Sequence, residues 1–309
     1  MPSTVLNHKA YIITGPTSGI GRATAFELAK HGSVVLVGRD RRKLDELQKR
    51  MEQMGQHAVA VFCDLSDIAS VREAAKEILG LNLPLAGLLN NAGILEMHGP
   101  TKNALGWDMT FATNHLGPFA LTEALAPHFS DKTNVVFVVS AVEDPERKAA
   151  VAVGFRGGRF ISVEASARGH WKPGGSEKPG FDAYATSKQA ILAAMMAFAR
   201  ETPRLCFSAV EPGLNVTTGL GSPNGLLRLF QKFVFPVLVP LLKPFVGILS
   251  TPKQAARVIA RIMTETSGET GIYYDERGST MRGSAQVRDP DFQDRIVSET
   301  RAFLVDGPA

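Results

Sequence analysis

Short apolar runs alternate along the chain with longer amphipathic stretches, and the alternation predicts the fold. Ala10–Ile13, Ser33–Val37, His57–Phe62, Leu85–Leu89, Asn134–Val139, Leu205–Val210 and Ile272–Tyr274 read as strands. Helical patterns lie between them: Arg22–Lys30, Arg41–Met54, Ser66–Leu79 with Ser66 as N-cap, Trp107–Phe129 despite Pro118, and Ala183–Glu201. Near-continuously apolar strands separated by helices specify an α/β domain with a parallel sheet covered on both faces.

Two segments break the rhythm. Residues 141–182 are rich in Gly, Pro and charge. A connection this long is usually functional, so it reads as an insertion near the site, with a short turn or helix around Val163–Arg168. Leu226–Leu249 is very apolar but is punctuated by Pro236, Pro240 and Pro244. Its longest uncharged run lies between Lys232 and Lys243, short of the ~20 residues a spanning helix needs. Residues 219–250 therefore read as a substrate lid or a subunit interface rather than a transmembrane segment. Peripheral membrane contact stays open, because an exposed apolar patch has to be covered.

Composition narrows the class. The 309 residues, 44% hydrophobic and 21% charged, suit one large α/β domain or two small ones with a sizeable core. The 34 basic and 30 acidic side chains leave a net charge of +4, scattered rather than clustered, which argues against a nucleic-acid partner. Cys63 and Cys206 sit among apolar residues, so no disulfide framework follows and a cytoplasmic setting is expected. Residues 1–9 lack the charged-then-apolar profile of a signal peptide. The seven histidines, including His98, His115 and His170, show no ligand spacing, so no metal site is expected.

Chemistry concentrates just after the strands, where ligands bind an open parallel sheet. The first strand runs into a turn with Gly15, Gly19 and Gly21 that opens a helix, an anion-binding design. Gly38, Arg39 and Asp40 follow the second strand, Asp64 and Leu65 the third, and Asn90–Gly93 the fourth. Ser140 follows the fifth; Pro212 and Gly213 follow the sixth, with Thr217 shortly after. Tyr184 and Lys188 stand four apart on a predicted helix and share a face. The ammonium is expected to lower the tyrosine pKa and make Tyr184 a proton donor and acceptor. A serine-hydrolase reading fails for want of a Gly-x-Ser-x-Gly elbow.

Thr14–Gly21, Asn90–Gly93, Asn114, Ser140, Tyr184–Lys188 and Pro212-Gly213 resemble, in this order, the short-chain dehydrogenase/reductase family, and look closest to its retinol-dehydrogenase-like and oxidoreductase-like members. The likeness runs from about Lys9 to Gly271. It implies one doubly wound Rossmann fold with a seven-stranded parallel sheet, and hydride exchange between a nicotinamide cofactor and an alcohol or carbonyl. It implies Tyr184 as general acid/base, Lys188 as its partner and holder of the nicotinamide ribose, Ser140 on the substrate oxygen, and Asn114 supporting a proton-relay water. It further implies Gly15, Thr17, Ser18, Gly19, Ile20 and Gly21 on the pyrophosphate. Asp64, Leu65, Asn91, Ala92 and Gly93 fall on the adenosine side, and Pro212, Gly213 and Thr217 beside the nicotinamide.

One interval departs from the family's pattern: the serine lies farther from the tyrosine. Ser162 and Ser166 are rivals closer in sequence; Ser140 is kept because it ends the apolar strand Val135–Val139. If Ser162 were right, Arg159–Val163 would have to be the core strand.

The cofactor's phosphate follows from charge. An acid directly after the second strand would bind the ribose 2′-hydroxyl of NAD; here Gly38 and Arg39 stand there, which favours NADP(H) over NAD(H). Arg41 or Arg42 could assist, with Asp40 turned away. The reading is an NADP(H)-dependent oxidoreductase acting on a fairly apolar carbonyl or alcohol. The alternatives are a non-catalytic nucleotide sensor or interaction protein on the same fold, and a sugar-nucleotide epimerase of related fold, whose glycine spacing differs. Pairing of copies through the long helices is left open.

Overall fold

The computed structural model describes residues 9–97, 99–213, 251–265 and 268–306. Seven strands form one parallel sheet: β1 (Ala10–Thr14), β2 (Ser33–Gly38), β3 (Ala58–Phe62), β4 (Leu85–Asn90), β5 (Asn134–Val138), β6 (Cys206–Val210) and β7 (Ile272–Tyr274). The order is β3-β2-β1-β4-β5-β6-β7. The described helices are α1 (Gly19–Leu28), α2 (Arg41–Gln53), α3 (Ile68–Gly80), α4 (Met109–Phe111), α5 (Gly117–Leu125), α6 (Lys148–Val153), α7 (Val163–Ala167), α8 (Phe181–Glu201), α9 (Pro252–Thr264) and α10 (Pro290–Asp306).

The central strands are apolar because helices cover both faces of them. One core gathers Ile12, Val35, Leu88, Val135 and Phe207 of the sheet under α3, α5, α8 and α10. The opposite core gathers Ile13, Leu36, Leu89 and Val136 under α1, α2 and α9. Succession runs outward from β1 to β3 on one side and from β4 to β7 on the other. The order of succession therefore reverses between β1 and β4, and the carboxyl ends there open into a crevice.

Several boundaries differ from the sequence expectation, each for a local reason. Asp67, not Ser66, caps α3 by accepting from the Ala69 N–H at 3.0 Å. The Ser66 hydroxyl is already committed to Asp64 Oδ1 at 2.8 Å. The long helix expected over Trp107–Phe129 runs without a gap from Met109 to Leu125, through Pro118, but changes form inside. Residues Ala112–Leu116 form a wide π-helical turn in which the Gly117 N–H reaches back to the Ala112 carbonyl. Pro118 has no N–H to give an α-helical bond, and the widened turn precedes it. Arg159–Val163 is not a strand; Ser162 caps α7, accepting from the Ala165 N–H at 3.0 Å. Helices α9 and α10 escaped the sequence reading. The first has a capping box, Thr251 with Gln254, that would have marked it. Thr217 and the stretches 219–250 and 226–249 lie outside the described residues.

Candidate active site

A cavity of about 920 Å³ lies along the carboxyl ends of the strands. Its floor is the turn from β1 into α1. Gly15 (φ +67°) and Gly19 (φ +53°) hold backbone conformations that glycine adopts without strain. A Cβ added to Gly21 would lie 2.2 Å from the Gly15 carbonyl oxygen and 2.4 Å from Asn91 Nδ2. Only a bare backbone fits there, and no side chain caps the start of α1. The helix's first N–H groups are therefore available to an anion, so this cradle suits a dinucleotide pyrophosphate.

The sequence-selected residues converge on this cavity. Gly15, Thr17, Ser18, Gly19, Ile20, Gly21, Arg39, Asp64, Leu65, Asn91, Ala92, Gly93, Ser140, Tyr184, Lys188, Pro212 and Gly213 all line it. Asn114 does not; it is buried behind the wall. Its Oδ1 accepts from the Ile94 N–H at 2.8 Å, and its Nδ2 donates to the Ile94 carbonyl at 2.9 Å and to Ser187 Oγ at 3.0 Å. A Cβ on Gly93 would sit 3.3 Å from Lys188 Nζ and 3.4 Å from Asn114 Oδ1, so these two polar ends flank one glycine. The rival serines stand apart from the cavity: Ser162 caps α7, and Ser166 is fully buried.

Tyr184 and Lys188 project from α8 toward the ends of β5 and β6. The Ser140 side chain lies beside the Tyr184 phenol, near enough to favour its ionised form. Lys188 is 4% exposed; its Nζ donates to the Val138 carbonyl at 2.9 Å and lies 5.6 Å from the centre of the Tyr184 ring. The expected lowering of the tyrosine pKa is not what this arrangement produces. Burial pushes the Tyr184 phenol up, and the Glu211 carboxylate adds to that push, against the pull of Ser140. Burial also draws Lys188 down to about 8, with Glu211 opposing. Both groups share a dry site, where charge on either is penalised.

The second-strand end separates its charges clearly. Asp40 caps α2, accepting from the Lys43 N–H at 3.1 Å, and pairs with Lys43 Nζ at 2.7 Å. Its carboxylate is thus turned into the helix. The Arg41 guanidinium lies 4.4 Å from the centre of the Phe62 ring, and Arg42 bonds Glu46 at 2.8 Å. Neither is held toward the cavity. Arg39 is exposed on the cavity rim and makes no ion pair among the described residues. Lys43 also lines the cavity, a cation the sequence reading passed over although it stands one turn beyond Arg39.

Sequence reasoning also missed an apolar wall beside Tyr184. Leu95, Val142, Ala149, Ala150, Val153 and Phe155 line the cavity there, with Arg147 as the cation on that wall. Phe155 stacks on Phe181 at 4.0 Å between ring centres. Glu211 was missed as well. Its signal was a lone acid closing the apolar strand β6.

Residues 9–152 match the family model described as short chain dehydrogenase. Retinol dehydrogenase 13 of Homo sapiens is 39% identical over 121 residues, 38% of this chain and 36% of that protein. Polyprenol dehydrogenase of Mus musculus is 30% identical over 300 residues, 93% of this chain and 81% of that protein. Two of the curated relatives are matched over only 36% and 57% of their own length. A short chain dehydrogenase from Shigella flexneri 2a str. 301, solved complexed with NADP, has a TM-score of 0.62 at 26% identity; the match covers 89% of this chain and 100% of that one.

Proposed function

The chain belongs to the short-chain dehydrogenase/reductase family, and from that premise we propose that it is an NADP(H)-dependent oxidoreductase acting on a fairly apolar carbonyl or alcohol. One observation carries the reading. Tyr184, Ser140 and Lys188 line the same cavity as the glycine cradle.

A nicotinamide dinucleotide lying from the cradle to Pro212-Gly213 would supply or accept the hydride. The protein's part is positioning and proton handling. Ser140 orients the phenol and offers a second hydroxyl to the substrate oxygen, steadying charge as it develops. Tyr184, held neutral by burial, donates its proton to that oxygen in the reducing direction. Lys188, poised near 8, stands ready to return a proton toward the phenol. Asn114 fixes the chain after β4 against α8 through Ile94 and Ser187.

Preference for NADP(H) rests on Arg39, which is exposed at the rim and makes no ion pair among the described residues, while Asp40 is tied down. A guanidinium matches a 2′-phosphate with a forked set of donors. Residues 141–182 serve as the insertion that builds the substrate side, since its first part supplies Val142, Ala149, Ala150, Val153 and Phe155 to the apolar wall. A cytoplasmic setting is supported by two free, buried cysteines. Among the described residues no helix is long and apolar enough to cross a membrane. Peripheral contact and self-association are open to vesicle sedimentation and sizing.

The test is NADPH oxidation with decanal, benzaldehyde and cyclohexanone, repeated with Tyr184→Phe. Turnover that collapses in the variant supports the mechanism; unchanged turnover defeats it. NADPH binding without turnover on any carbonyl would support the non-catalytic sensor instead.

A further inference from the structure

We propose that Glu211 is a positioning residue of this site: its buried carboxylate ties the loop carrying Ser140 to the loop carrying Pro212 and Gly213. The proposal rests on the oxidoreductase reading above and adds a part that reading does not contain.

The geometry begins in the sheet. β5 and β6 pair in register up to Val138 opposite Val210, and the Val139 N–H still bonds the Val210 carbonyl at 3.0 Å. The next N–H on that side of the chain is Ala141. The partner chain has by then turned off at Pro212 and Gly213, the latter at φ +74°. The Glu211 side chain takes the missing rung: its Oε2 accepts from the Ala141 N–H. The Gly213 N–H lies on the same carboxylate's other side, near enough to favour its charged form. The Glu211 backbone is itself held, its N–H bonding the Tyr274 carbonyl at 2.8 Å. One anchored carboxylate thus fixes two loops. Ala141 directly follows Ser140, which stands beside Tyr184 in the cavity, and Gly213 ends the loop beside the proposed nicotinamide position.

Glu211 is 7% exposed, so its charge is screened little. Tyr184 and Lys188 face it from α8. Arg147 faces it from the segment after β5, and Tyr273 and Glu276 from β7 and the turn beyond. Buried Glu143 and half-buried Asp144 belong to the same group. Burial pushes the Glu211 carboxyl up, while the two N–H groups and Arg147 favour its charged form. That charge acts on the reacting pair in one direction. It disfavours tyrosinate and favours ammonium, which biases the site toward proton donation and hence carbonyl reduction.

Three variants separate clamp from charge. Glu211→Gln keeps the volume and one acceptor oxygen but loses the charge. Glu211→Asp keeps the charge on a shorter arm, and Glu211→Ala loses both. Two readouts are used: kcat and KM for NADPH with the aldehyde turned over best in the panel above, across pH, and the ultraviolet titration of tyrosinate in cofactor-free protein. Subtracting the titration of Tyr184→Phe isolates Tyr184 from the chain's other three tyrosines, Tyr11, Tyr273 and Tyr274. Glu211→Ala should lower kcat about tenfold or more with KM changed far less. Glu211→Gln should recover part of kcat and move both the alkaline limit of reduction and the Tyr184 titration down by about one pH unit. Glu211→Asp should leave that titration near wild type. If Glu211→Ala is insoluble, the other two variants carry the test alone. A lowered kcat with an unmoved titration in Glu211→Gln marks a merely structural side chain and overturns the proposal. So does wild-type behaviour of the variants while Tyr184→Phe is dead. An active Tyr184→Phe would instead fell the oxidoreductase reading itself.

Discussion

Thr14 and Asn91 bind each other twice: the Asn91 N–H donates to Thr14 Oγ1 at 3.0 Å, and Asn91 Nδ2 donates to the Thr14 carbonyl at 2.8 Å. The Ala92 N–H also reaches Thr14 Oγ1, at 3.0 Å. The hydroxyl's own proton goes to the Leu89 carbonyl at 3.4 Å. One fully buried threonine therefore joins the ends of β1 and β4 at the point where strand order reverses. Thr14→Val keeps the shape but strands two N–H groups, at a cost of about 2–3 kcal/mol. Urea denaturation should show that loss, and NADP⁺ titration should show weakened binding. Thr14→Ser should restore most of both.

Gly21 gives a second prediction. A methyl there meets the Gly15 carbonyl oxygen and Asn91 Nδ2, both closer than real contacts allow. Gly21→Ala should weaken dinucleotide binding at least tenfold and cost roughly 1–3 kcal/mol of stability from overpacking. Gly80→Ala is the control. Nothing lies within 4 Å of its added methyl, at the end of α3. That variant should be neutral or more stable by about 0.5–1 kcal/mol. Calorimetry with and without NADPH separates the two outcomes.

Arg39 should decide between phosphates. A charge-assisted hydrogen bond is worth about 1.5–3 kcal/mol, or roughly ten- to a hundredfold in affinity. Arg39→Ala should raise the NADP⁺ dissociation constant by that factor and barely change the one for NAD⁺. Lys43→Ala should have a smaller effect, because Lys43 is shared with Asp40. Equal loss for both cofactors would remove Arg39 from the phosphate site.

Much of this site was legible because period and position carry it. Apolar strands located the sheet, and the residues just beyond them located the crevice. What escaped the sequence depended on which side chains actually meet. Ser66 looked like a cap until Asp64, two residues earlier, took its hydroxyl. Tyr184 and Lys188 looked like a mutually charged pair. Burial outweighs that pairing, and the carboxylate that adds to it, Glu211, comes just after β6, more than twenty residues on. The apolar wall around Phe155 comes from a stretch whose Gly, Pro and charge content reads as loop. Local pattern predicts elements; which side chains meet across them is set by packing.

His115 supplies a pH prediction with a definite sign. The ring is fully buried on the π-helical turn, next to Asn114. The Thr300 hydroxyl donates to the Ile296 carbonyl at 2.6 Å, so its oxygen accepts from His115 Nε2–H at 2.9 Å. Nδ1 has no partner among the described residues, and burial lowers the His115 pKa to about 3. The unfolded chain then binds a proton that the folded one refuses, from about pH 6.5 downward. Stability from this residue is intact above 6.5 and falls by on the order of 3 kcal/mol by pH 4. Two buried acids work in the opposite sense. Burial raises Asp108 to about 6 and Glu143 to about 7, so each adds stability as pH falls through those values. The wild-type profile mixes the three. His115→Gln keeps a donor for Thr300 and cannot titrate, so the difference between the two proteins isolates the histidine. Urea midpoints taken from pH 8 to pH 4 should diverge below 6.5, with the variant losing less; parallel curves would show that the buried ring accepts its proton without penalty.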